Sequence, residues 1–360
     1  MAYVATRGGE QAIEQAERLF RADLAPFDRS RVDEIRRAMP YLIDRIMGEA
    51  SLYDPDLAAL ALAQTGGELY EATLLLRAWR TTQPRIAIAQ PVLQDELLVQ
   101  RRISAAFKDI PGGQILGPTL DYAHRILDTA VLEGAAHAPP PVDPAPRPAP
   151  QRQPSLADWE RTEGLVASPA HSPVAPDDIP DLTRDPLLIP APRAHRLQAL
   201  ARAETGGVLA LGYSAMRGYG SAHPTVNELR LAEAEIRVAH PDGTVFSCGR
   251  ARVSQAEVAA KGGDLIELGF AATFGWNEVK VIAAATLDLN SDAAAPGSAT
   301  EEEFYLYHTE SVEASGFCIH FKMPHYVTFQ SALDAMRGAP GEPACEPAGE
   351  GADHKIGASV

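Results

Sequence analysis

Apolar positions recur every three to four residues through the first third of the chain and every second residue through much of the last third, so the predicted elements change type along it. In Glu10–Phe20, Ile13, Ala16, Leu19 and Phe20 stand at helical spacing. Asp54-Pro55 is a cap followed by a first-turn proline, and Leu57, Leu60 and Ala61 continue one apolar face from it. Thr65-Gly66-Gly67 stops that helix, and Leu69–Arg80 starts another with Ala72, Leu75, Leu76 and Trp79 inward. A further helix is predicted from about Thr119, with Leu120, Ala123, Leu127 and Val131 on one face and Asp121, Arg125 and Asp128 as an ion ladder on another. Residues 1 to about 133 therefore read as helical.

Later segments alternate. Glu233–His240 points Ala234, Ile236 and Val238 one way, and Pro241-Asp242-Gly243 turns the chain into Thr244–Val253, a predicted hairpin. Leu265–Phe274 reads as a buried strand, and Asn277 as the N-cap of a helix running through Leu289. Between the two halves, residues 136–192 hold 15 of the 29 prolines, a composition that stays extended and lacks the apolar surface to fold alone. The fold class expected is α+β: a helical N-terminal domain (1–135), a proline-rich arm (136–192), a mixed α/β C-terminal domain (193–338) and a disordered tail (339–360).

Composition narrows the function. A net charge of −16 argues against nucleic acid as a partner, because phosphate-backbone binding leans on a surplus of Lys and Arg. The three cysteines, Cys248, Cys318 and Cys345, lie far apart, which excludes a disulfide framework and an iron–sulfur cluster held by this chain alone. No apolar run approaches the roughly 18 residues of a membrane span and Met1–Glu10 has no signal-peptide core, so a cytoplasmic protein is expected.

Three stretches carry candidate chemistry. In Phe317–Val327, His320 and His325 stand five positions apart with Pro324 before the second. On a continuous helix positions five apart diverge by roughly 140°, but a bend at Lys322–Pro324 lets both imidazoles face one spot. Such a pair is either half of a metal site or two ordinary histidines, one buried and one at a turn. Arg101, Arg102 and Lys108 precede a Pro111-Gly112-Gly113 turn whose backbone allows close approach of a ligand; the alternative is a solvated helix end. Arg217, Tyr219 and His223 surround Gly218 and Gly220, either lining an anion pocket or decorating a tight turn. The third glycine of a dinucleotide fingerprint is missing, so that motif fails.

These residues carry a resemblance. Tyr3-Val4-Ala5, Gly8-Gly9-Glu10, Leu75-Leu76-Arg77-Ala78, Arg101-Arg102-Ile103-Ser104, Lys108-Asp109-Ile110-Pro111-Gly112-Gly113-Gln114, Leu116-Gly117-Pro118-Thr119, Arg217-Gly218-Tyr219-Gly220, His223-Pro224 and Pro324-His325-Tyr326-Val327 together resemble the I-subunit family of the bacterial carbon–phosphorus lyase core complex. The likeness spans nearly the whole chain except the arm and the tail. It implies a subunit that, with G, H and L partners, displaces adenine from MgATP by an alkylphosphonate to give α-D-ribose 1-alkylphosphonate 5-triphosphate. It also implies purine nucleosidase activity when alone, self-association within the complex, and a zinc held by His320 and His325 near a J subunit that shares it. The J subunit then cleaves the carbon–phosphorus bond. Triphosphate and phosphonate call for cations, which makes Arg101, Arg102, Lys108, Gln114, Arg217, Tyr219 and His223 substrate-binding candidates. A departing base calls for an acid and an oxocarbenium-like centre for a carboxylate, roles open to Asp109, Asp121 and His124. The competing expectations are a non-catalytic scaffold that contributes zinc ligands and a stand-alone metal hydrolase.

Overall fold

The computed structural model describes residues 9–137, 151–166, 179–219, 224–292, 294–322 and 325–338. Met1–Phe20 with Phe317–Val360 form one compact unit and Arg21–Gly316 the other. The chain opens with helices α1 (Gly9–Asp23), α2 (Arg29–Ala38), α3 (Pro40–Ala50), α4 (Pro55–Gln64) and α5 (Leu69–Thr81). Asp54 caps α4 by accepting from the Asp56 and Leu57 amides at 3.0 Å, and Pro55 fills the first turn, where no amide is needed. Ile43, Ile46, Met47, Ala58, Leu62 and Leu76 form the core between α3, α4 and α5.

Strand β1 (Leu98–Ile103) is followed by a short helix α6 (Leu156–Thr162), then α7 (Arg193–Arg202), α8 (Thr205–Ser214) and a π-helical turn at Ala215–Tyr219. Strands β2 (Thr225–Ala239), β3 (Val245–Gly262) and β4 (Leu265–Phe274) complete an antiparallel sheet in the order β1-β2-β3-β4. Helices α9 (Glu278–Ser291), α10 (Glu302–His308), α11 (Ser311–His320) and α12 (Tyr326–Gly338) end the described chain. The architecture is α+β. One sheet face, with Leu229, Ala256, Val258 and Ala271, buries against Val281, Ala284, Ala285 and Leu287 of α9 together with Leu200, Val208 and Tyr305. Gly269 permits that approach, since a Cβ there would stand 2.1 Å from the Ala285 carbonyl.

The hairpin forms where the alternation predicts it, joined through Gly243 at φ +87°, and the Asn277 cap and β4 stand in place, but only Gly269, Ala271 and Thr273 of the strand expected to be buried are so. Other expectations change. Residues 119–128 are not helical: the Thr119 hydroxyl accepts the Asp121 amide at 3.0 Å and Arg125 adopts φ +54°. Local side-chain bonding of that kind competes with helix, and the ladder is absent: Asp121 pairs with Arg101, and Asp128 with His137. In α5, Leu75 and Trp79 are exposed while Thr73 and Arg77 are buried, because the Arg77 guanidinium donates to the Glu49 carbonyl and turns the helix face. Residues 151–166 of the proline-rich stretch do not stay extended: Gln151 bridges Val99, and Leu156, Ala157 and Glu160 of α6 are buried. Residues 138–150, 167–178 and 339–360 of the predicted arm and tail lie outside the described residues.

In the smaller unit no residue of α12 is buried, and Ile13, Leu19 and Phe20 of α1 are exposed as well. Among the described residues no helix is long and apolar enough to cross a membrane.

Candidate functional site

Arg101 and Arg102 leave β1 on opposite faces. Successive strand residues alternate, so an Arg-Arg pair on a strand cannot converge on one anion. A bulge between Val99 and Arg101 sets which goes where. Arg101, fully buried, donates to the Leu116 carbonyl at 2.6 Å and to Asp121 Oδ2 at 2.5 Å, and its Nε lies 2.6 Å from Glu278 Oε1. The structure thus joins two predicted residues, Arg101 and Asp121, and adds Glu278, whose carboxyl burial pushes up against the pull of Arg101.

Arg102, on the other face, donates to Glu228, to the Pro111 and Gly113 carbonyls and to the Pro154 carbonyl at 3.0 Å. All three of its nitrogens are engaged. Gln114 works in the same direction, giving its amide hydrogens to the Phe107 and Lys108 carbonyls and taking the Ser104 amide at 3.2 Å. The loop from Ser104 to Gln114 is therefore folded around these two side chains. Gly112 makes this fit at φ +81°: a Cβ there would lie 2.2 Å from Gln153 Oε1. Lys108 and Asp109 stand exposed on this loop, and His124 is exposed on the non-helical stretch beyond it. Arg217 is exposed in the π-helical turn that follows α8; the Tyr219 side chain, Gly220 and His223 lie outside the described residues.

The histidine pair sits where α11 gives way to α12, with Met323 and Pro324 between them outside the described residues. The two Nε2 atoms lie 3.2 Å apart with ring planes at 80°. Both residues are exposed, so neither is a buried core histidine. Two nitrogens each about 2.0–2.1 Å from a tetrahedral zinc are separated by about 3.3 Å, so the pair fits half of such a site. The same spacing serves an N–H···N hydrogen bond between matching tautomers. Among the described residues no group of three or more His, Cys, Asp or Glu is placed to hold a metal.

The family model for the bacterial phosphonate metabolism protein PhnI matches residues 2–342. The chain belongs to the PhnI family. Similar proteins include the α-D-ribose 1-methylphosphonate 5-triphosphate synthase subunit PhnI of Rhizobium meliloti, 40% identical over 353 residues that cover 93% of this chain and 94% of that one. The Escherichia coli subunit of the same name is 38% identical over 355 residues, covering 93% and 97%.

This PhnI chain also holds buried carboxylates that no motif marks in its sequence. Asn227, at a bulge in β2, donates to Glu160 Oε2 at 2.8 Å and to Glu257 Oε2 at 3.4 Å, while Gln94 donates to Glu257 Oε1 at 2.8 Å. Burial pushes Glu257 up, and burial with the nearby Glu257 and Glu228 charges pushes Glu160 up to about 7, against the Asn227 bond. Glu257 also lines a cavity of about 730 Å³ on this sheet face, with Gln94, Arg161, Gln255, Phe270 and Phe274. A carboxyl whose hold on its proton is strengthened by burial, beside an aromatic-lined cavity, is a candidate to give that proton to a bound leaving group. The signal available in sequence was a carboxylate between apolar neighbours in a strand, Ala256-Glu257-Val258.

Proposed function

We propose that this chain is a subunit of the carbon–phosphorus lyase machinery of phosphonate catabolism and transfers the ribosyl triphosphate of MgATP to an alkylphosphonate. The observation that carries this is the match to synthase subunits along nearly the full length of both chains. In the step, a phosphonate oxygen forms a bond to C1′ as the C1′–N9 bond breaks. The bonding pair leaves on adenine, which takes up a proton, and C1′ inverts. Water in place of the phosphonate makes the chain alone a purine nucleosidase. The proton has candidate sources in exposed Asp109 and His124 and in Glu257, whose burial favours the protonated form, while Asp121, held beside Arg101, is the candidate carboxylate for positive charge at C1′. Lys108 and Arg217 remain exposed and able to meet substrate oxyanions. His320 and His325 would hold a zinc whose other ligands come from a J-type partner; when bound it supplies a Lewis acid. G, H and L partners complete the assembly.

Incubating the full chain with MgATP, alone and with its partners, and measuring free adenine by chromatography tests the reading. Adenine release, and formation of a ribose 1-alkylphosphonate 5-triphosphate when phosphonate and partners are present, is expected. No base release in either setting would leave a scaffold that only contributes metal ligands.

A further inference from the structure

A second cavity, of about 630 Å³, opens where the ends of α5 and α7 meet α10 and the start of α11. None of the candidate site residues named above lines it. Three guanidiniums do: Arg77, Arg80 and Arg202. Arg77 is fixed in place, donating twice to the Glu49 carbonyl at 3.1 and 2.7 Å and pairing with Glu310. Arg202 is less satisfied. Its Nη1 makes a long 3.5 Å contact to the Leu182 carbonyl, its Nε is buried without a hydrogen-bond partner, and Glu310 Oε1 is 3.9 Å from that Nε. Among the described residues Arg80 makes a long 3.5 Å contact to the Ser51 carbonyl.

The electrostatics agree with that geometry. Burial and then the neighbouring Arg77 charge push Arg202 down to about 10, and the same two causes push Arg80 down. Burial would raise Glu310, but Arg77, the Glu313 amide and Arg202 hold it below the usual carboxylate range. Glu310 is thus shared between Arg77 and Arg202, whose charges repel one another in a partly desolvated space, with Asp185 and Glu313 also on the cavity wall. The volume suits a small ligand, and Tyr307 adds an aromatic wall. Guanidiniums left short of acceptors are matched by the oxygens of a phosphoryl or phosphonyl group, which accept several charge-assisted hydrogen bonds at once.

We propose that this cavity binds the phosphorus oxyanion of a substrate, held by Arg80 and Arg202 and organised by Arg77. Which oxyanion enters, the triphosphate tail or the phosphonate, rests on the reaction proposed above; the arginine-lined cavity stands without it.

Titration calorimetry of the full chain with inorganic tripolyphosphate and, separately, with methylphosphonate tests this. One probe is expected to bind, which identifies the oxyanion. Arg202→Gln and Arg80→Gln should each weaken it by about 10-fold or more, the loss of one charge-assisted hydrogen bond. Glu313→Gln, which removes an opposing charge lining the cavity, should tighten it, a gain that misfolding cannot mimic. Failure of the unaltered chain to bind either probe, or affinities unchanged in all three variants, overturns the proposal. Adenine release measured alongside separates the two ideas. Release by the unaltered chain with full probe binding in Arg202→Gln keeps the reaction and removes the cavity. Probe binding lost in Arg202→Gln, with no adenine released by any form, keeps the cavity and removes the reaction.

Discussion

Glu160 is fully buried, with one oxygen on the Asn227 amide and the other unbonded. Raised to about 7 by burial first and its acidic neighbours second, it keeps a proton in the folded chain that the unfolded chain gives up near 4.5. The folded state therefore binds more protons between those values, and stability from this group is full below pH 4.5 and lost as pH rises towards 7. Glu160→Gln keeps the acceptor for Asn227 and removes the titration. Its melting temperature should gain on that of the unaltered chain from pH 5 to pH 8, with the gap flat above about pH 7.5. Parallel melting curves across that range would show that Glu160 titrates normally. Single residues were the hardest scale to read in sequence. Arg101 and Arg102 looked like one cationic cluster because they are adjacent; only once they belong to a strand does adjacency mean opposite faces. Arg77, Arg80 and Arg202 carried the reverse problem, since they converge through folding from two helices far apart in sequence.

At the scale of elements, periodicity served where one face is buried and the boundary has its own chemistry. Asp54-Pro55, Pro241-Asp242-Gly243 and Asn277 each mark an end by a local bond, and α4, the β2–β3 hairpin and α9 stand there. It misled at residues 119–128, where tertiary bonds to Asp121 and a local Thr119 turn outweigh helical spacing. Composition hid α6 altogether. Proline density argued for an extended arm, yet the Pro154 carbonyl accepts from both Arg102 and Arg230, and Leu156 is completely buried. Leu156→Ala should then destabilise the chain by about 2–5 kcal/mol, the range for emptying a packed leucine site. Chemical denaturation measures it. A loss below about 0.5 kcal/mol would mean that this segment lies loosely on the sheet and that the arm reading holds here too.

For the whole molecule, the histidine pair raises a question of completeness. The chain brings two Nε2 atoms to 3.2 Å, close to the bite of a tetrahedral metal, and among the described residues no group of three or more His, Cys, Asp or Glu is placed to hold one. Sequence could show the pair and the proline between them, but ligands supplied by a second chain would leave no trace in the first. Two imidazoles alone hold zinc weakly, whereas a partner adding one or two donors closes the site. The isolated chain should therefore lose zinc on dialysis, and the assembled complex should retain it. His320→Ala and His325→Ala should each strip the metal from the complex while leaving adenine release by the chain itself intact. Elemental analysis of unaltered and variant complexes, with base release followed in parallel, decides the matter. Full zinc occupancy in either variant would end the metal assignment. Loss of base release in a variant that keeps its melting temperature would instead place the metal in the transfer step.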